Sequence, residues 1–110
     1  MAVCTSLPLT SRNAIAVIGC DGTDAWAVEI PRLNVRANGA GDCLAAILLA
    51  RLLTEHNLPQ SMSLAVSSVH DILKMTPSTA YDLPLVAARE RIVHPSRLFS
   101  AIRLDPETYR

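Results

Sequence analysis

Asn38-Gly39-Ala40-Gly41-Asp42, running directly into Cys43-Leu44-Ala45-Ala46-Ile47-Leu48-Leu49-Ala50, is the stretch on which the reading of this chain turns. Two glycines around one small residue let the backbone turn tightly and bring its N–H groups close to a ligand. The apolar block predicts a buried helix. Those N–H groups then stand at a helix N-terminus, where the dipole favours an anion. Asp42 is placed at the same spot. A phosphate cradle with a carboxylate beside it is the equipment of phosphoryl transfer. The plainer reading of the same residues is a strand-to-helix turn with an ordinary first-turn aspartate.

Upstream, Ala14-Ile15-Ala16-Val17-Ile18-Gly19-Cys20 and Ala25-Trp26-Ala27-Val28-Glu29-Ile30 predict two strands, with Trp26, Val28 and Ile30 on one face. Asp21-Gly22 between them is a turn signal, so the pair is expected as an antiparallel hairpin ended by Pro31. Met1 to Cys4 reads as the end of a buried strand, with Thr5-Ser6-Leu7-Pro8 leaving it as a loop. Downstream, the first helix is expected over about Ala40 to Glu55. A second follows from Leu58-Pro59, proline suiting the first turn, and Pro77 closes it. Met62, Ala65, Val66, Val69, Ile72 and Leu73 recur there at helical spacing, while Ser63, Ser67, His70, Asp71 and Lys74 fall mostly elsewhere on the wheel. A third helix is expected over Leu83 to Ile92, with Asp82 as N-cap and Pro84 in its first turn. Phe99 to Leu104 reads as a short edge strand or a last helical turn. The order predicts half of an α/β sandwich with an antiparallel edge.

Composition narrows the function classes. In 110 residues, 50% are hydrophobic and 18% charged, too apolar for a disordered chain. So apolar a segment is expected to sit inside a larger body. Ten acidic residues balance ten basic ones, which leaves no net field for nucleic acid or an anionic membrane. Cys4, Cys20 and Cys43 show no close pairing, so neither a disulfide framework nor a zinc site is expected, and a reducing cytoplasm is the simplest compartment. No signal peptide is recognised at the N-terminus, and the longest apolar run is far too short to span a bilayer. Asp21, Gly22, Thr23 and Asp24 lack the full ligand pattern of a calcium loop. His56, His70 and His94 are not at metal-ligand spacing. Cys43 reads as a buried structural thiol.

Gly39-Ala40-Gly41-Asp42, followed by a helix of small and apolar residues, resembles the G-x-G-D motif of the ribokinase-like superfamily of ATP-dependent kinases. The stretch Tyr81-Asp82-Leu83-Pro84-Leu85-Val86-Ala87-Ala88, then Arg91-Ile92-Val93 and Pro95-Ser96-Arg97-Leu98-Phe99-Ser100-Ala101, looks like the C-terminal tail of pyridoxal kinases. Val3-Cys4-Thr5-Ser6 resembles the strand end that approaches the nucleotide in the same family. The resemblance runs over nearly the whole chain in the family's order. Ala40 departs from the threonine often found there, Asp82 from a glutamate, and Pro84 interrupts the pattern.

The resemblance implies the C-terminal portion of a ribokinase-like three-layer sandwich over residues 1–110: a strand, a β-hairpin and three helices, the N-terminal part of the fold lying outside the chain. It implies transfer of the γ-phosphate of ATP, with Mg2+, to the 5′-hydroxymethyl group of pyridoxal, pyridoxine or pyridoxamine, in a cytoplasmic homodimer. Asp42 would then be the base that meets the substrate hydroxyl, and Gly39, Ala40 and Gly41 the anion hole. Val35, Arg36, Ala37 and Asn38 correspond to the segment lining the nucleotide. Arg36 reads equally well as a phosphate or ribose contact and as a surface arginine. Thr5 corresponds to a nucleotide contact, or satisfies its own loop. None of these residues is expected to hold a metal. Two other readings stand beside this one: an accessory or remnant chain that keeps only the phosphate cradle, and a kinase of the same superfamily acting on hydroxymethylpyrimidine or a sugar.

Overall fold

The structure, a computed structural model, describes residues 1–9, 13–33, 39–77 and 79–105. Its centre is the hairpin of β2 (Ala14–Cys20) and β3 (Ala25–Pro31). The register pairs Val17 with Val28 and Ile15 with Ile30, which puts these β-branched side chains on one face. Asp21 closes the turn: its Oδ1 accepts the backbone N–H groups of Thr23 and Asp24, both at 3.0 Å. These bonds, that of Asp24 foremost, hold the Asp21 carboxyl below its usual range. A hairpin turn, as the sequence predicts, accounts for these residues.

Two further strands complete an antiparallel sheet in the order β1-β2-β3-β4. The first, β1 (Ala2–Leu9), corrects the sequence reading, because the strand continues through Thr5, Leu7 and Pro8 where a loop is expected. The register slips between Cys4 and Leu7. This irregularity absorbs the break in pattern and lets pairing resume. Pro8 is tolerated because β1 is an edge strand, where a missing N–H breaks no second ladder. Nor is the strand buried, since Met1, Ala2 and Cys4 are exposed. At the opposite edge, β4 (Ile102–Arg103) pairs with Ala27 and Trp26, in keeping with the edge-strand reading of the tail.

Helix α1 (Ala40–Glu55) has the expected bounds and buries Leu44, Ile47 and Leu48. Helix α2 (Leu58–Lys74) begins at Asn57, whose side chain accepts the Gln60 N–H at 2.8 Å, with Pro59 in the first turn. It lies against the hairpin so closely that a Cβ on Gly19 would stand 2.6 Å from Met62 Sδ. Gly19 is small because Met62, fully buried, fills that space. Burial of a side chain of this size contributes about 1.5–3 kcal/mol.

Two helical expectations are corrected. The third helix, α3, spans only Arg89–Val93, with Ala88 rather than Asp82 as its N-cap. Residues 83–88 form turns instead, in which the Leu85 N–H meets the Leu83 carbonyl and the Ala88 N–H meets that of Pro84. A short helix needs a packed face, and here Tyr81 and Val86 are 83% and 79% exposed.

The polar side of α2 is not a solvated face either. Ser67, His70 and Asp71 are buried, because the segment 95–101 lies across them. Ser67 Oγ accepts the Phe99 N–H at 2.8 Å, and Ser63 Oγ donates to the Phe99 carbonyl at 2.6 Å. Asp71 accepts both the N–H and the hydroxyl of Ser96. Ser63, Ser67 and Asp71 are satisfied by the distant segment 96–99, a partner that no helical wheel displays.

Candidate functional site

The site begins at the start of α1. Gly39 is its N-cap, with φ 97° and ψ 1°, a left-handed conformation that a Cβ would oppose. The first helical bond joins the Cys43 N–H to the Gly39 carbonyl at 2.8 Å. The N–H groups of Ala40, Gly41 and Asp42 therefore lie ahead of the ladder and point out of the helix end. A Cβ built on Gly41 would meet nothing within 4 Å, so among the described residues no packing requires this glycine. Asp42 is exposed in the first turn, beside those N–H groups. Donors and one carboxylate thus stand in the same first turn, and the free N–H groups favour an anion there.

This helix end opens onto a cleft of about 90 Å³ lined by Thr5 of β1, Ala40 and Gly41, with apolar walls from both layers. Ile15, Val17 and Ile30 form the sheet wall; Val66, Val69 and Leu73 form the α2 wall. Thr5 is so brought to one cleft with Ala40 and Gly41, sequence-predicted residues 35 and 36 positions further along the chain. Gly39 and Asp42 adjoin them in the chain, while Val35, Arg36, Ala37 and Asn38 lie outside the described residues. These lining residues belong to the hydrophobic core or pack against it, as their strand and helix spacing suggests, and the cleft is a narrow opening at the core's edge.

Other candidates lead elsewhere. A larger groove, about 470 Å³, runs along α1 and residues 85–93, lined mainly by alanine and branched aliphatic side chains. Its one charged residue, Arg51, already donates to the Val93 carbonyl at 2.6 Å. Cys43 faces this groove, and burial pushes its thiol up, away from the reactive thiolate. No three His, Cys, Asp or Glu side chains converge on a metal site among the described residues. Among those residues, too, no helix is long and apolar enough to cross a membrane.

Comparison with known proteins follows the same line. No model of a known protein family matches the chain. It is 34% identical over 98 residues to a protein named pyridoxal kinase PdxY from Leifsonia xyli, a match covering 88% of this chain and 35% of that protein. Among solved structures, a putative phosphomethylpyrimidine kinase from Bacteroides thetaiotaomicron superposes with a TM-score of 0.80 at 18% identity, over 93% of this chain and 37% of that one. Pyridoxal kinase from Leishmania donovani in complex with ADP superposes with a TM-score of 0.76 at 16% identity, over 92% of this chain and 38% of that one. The chain spans about a third of the length of the proteins it matches. Its fold is therefore the ribokinase-like one, represented by a portion containing an antiparallel sheet and the helices on it.

Proposed function

We propose that this chain, pyridoxal-kinase-like in sequence and ribokinase-like in fold, is the C-terminal portion of a kinase that phosphorylates the 5′-hydroxymethyl group of pyridoxal and its vitamers. The observation that carries the reading is the cleft at the head of α1, lined in common by Thr5, Ala40 and Gly41.

In this reading the phosphates of the nucleotide lie at the helix end, beside Ala40 and Gly41. Val35, Arg36, Ala37 and Asn38, outside the described residues, are the nucleotide-lining segment that the resemblance implies. The substrate oxygen attacks the γ-phosphorus, its proton passes to Asp42, and ADP leaves. The N–H groups of Gly39, Ala40 and Gly41 offset charge on the phosphoryl oxygens as it is transferred. Little covalent work falls to the protein, because such transfer rests on positioning and electrostatics. Mg2+ accompanies the triphosphate. The described residues offer it no cage of three ligands, so no step is assigned through it. A cytoplasmic homodimer belongs to the same reading.

The test joins nucleotide titration with a coupled ATP-consumption assay on pyridoxal. It uses the purified chain and a version joined to the remaining part of the fold from a relative. In the joined protein, Asp42→Ala is expected to lower turnover about 10²–10⁴-fold while ADP affinity stays within about threefold. Near-normal turnover overturns Asp42 as the base. Nucleotide binding without turnover in the joined protein favours the accessory reading, and preference for hydroxymethylpyrimidine moves the substrate within the superfamily.

A further inference from the structure

His70 of α2 is 3% exposed, and neither of its ring nitrogens, Nδ1 nor Nε2, has a hydrogen-bond partner. The ring meets Phe99 edge-on, centroids 4.7 Å apart. Phe99 carries the Arg97 guanidinium on its ring, 4.5 Å from the centroid. Histidine, phenylalanine and arginine thus form one stack between α2 and the segment that crosses it. On either side of the stack the segment is tied by polar bonds: Ser96 to Asp71, and the Phe99 backbone to Ser67 and Ser63.

We propose that residues 95–101 are an acid-released strap, held closed over α2 by the neutral imidazole of His70. The stack has room for a neutral ring only. A proton would place a second cation beside an aromatic ring that already bears Arg97, in a space from which water is excluded. The charged groups acting on His70 are Lys74 and Asp71 from α2 and Arg97 from the strap. Lys74 and Arg97 oppose the proton. Asp71 favours it, but its two oxygens are engaged by Ser96. Burial is the largest influence, and the folded imidazole is held below its ordinary value.

The sign follows directly. With the folded value depressed, the open state takes up the proton first as pH falls through about 6.5. The strap is fully closed above that pH and progressively released below it. This inference does not depend on the phosphoryl-transfer reading.

Hydrogen–deuterium exchange of the full chain at pH 7.5 and 5.5, corrected for intrinsic exchange, tests it. Protection of amides 97–101 is expected to fall by up to about tenfold at the lower pH, while the β2–β3 hairpin keeps its protection. His70→Leu, which keeps bulk and removes the titration, is expected to make strap protection independent of pH. Equal protection at both pH values overturns the proposal. So does parallel loss in the hairpin, which is global unfolding, or persistence of the effect in His70→Leu. Should that variant not fold, the NMR titration of the wild-type histidines decides: a His70 midpoint no lower than those of His56 and His94 overturns it.

Discussion

Gly39 and Gly41 stand two residues apart, and the structure assigns them different constraints. At Gly39 the backbone is left-handed, with φ 97°, so Gly39→Ala is expected to cost about 1–2 kcal/mol, read as a lower midpoint in urea unfolding. Gly41 lies within α1 and a Cβ there meets open space. Gly41→Ala is therefore expected to leave stability unchanged or raise it by up to about 1 kcal/mol. If a phosphate lies against that backbone, the same methyl group should weaken ADP binding at least about tenfold. Calorimetry on the two variants separates the roles, and an unchanged ADP affinity in Gly41→Ala would falsify the cradle. These residues were legible in the sequence because the motif is local. Thr5 was singled out only through family resemblance, since nothing in its neighbours announces that this part of β1 lines the same cleft as Ala40 and Gly41.

Among the elements, α2 departs furthest from what its sequence pattern suggests. Asn57→Ala should remove the cap and cost about 1 kcal/mol, within the range of ordinary helix ends. Ser67→Ala is expected to cost more, about 1–3 kcal/mol, because it strands the buried N–H of Phe99. Denaturant titration of both variants compares them, and a smaller loss for Ser67→Ala would contradict the strap's packing. The hairpin and α1 could be read in advance because turn chemistry and an unbroken apolar block act over neighbouring residues. The Ser67–Phe99 bond could not, since it joins groups 32 positions apart. The third helix was overextended for the converse reason. Leu83, Leu85 and Val86 suggest a packed face, yet the chain brings little against Val86.

At the scale of the molecule, the radius of gyration of 13.6 Å is close to the roughly 13 Å of a packed domain of this length. The chain is therefore condensed even though it spans a third of its relatives. Its outer surface is less finished. On α1, Leu49 and Leu53 are 60% and 68% exposed on a helix that is apolar around much of its circumference, and such helices are ordinarily enclosed. The isolated chain is expected to self-associate, with the mass from light scattering rising with concentration. Leu49→Glu with Leu53→Lys should reduce that rise while shifting stability by no more than about 0.5 kcal/mol. A monodisperse wild-type monomer at high concentration would contradict the expectation.

Helix α2 has no idle side. Eleven of its 17 residues are buried. Val66, Val69 and Leu73 border the cleft, while Ser67, His70 and Asp71 lie beneath the segment 95–101. A substitution that repacks either side shifts a helix whose opposite side is already committed. In sequence drift, α2 should then accept few replacements, and those it accepts should come with compensating changes at Ser96 or Phe99. The outer surface of α1, bound by no such double obligation within this chain, is where variation can accumulate.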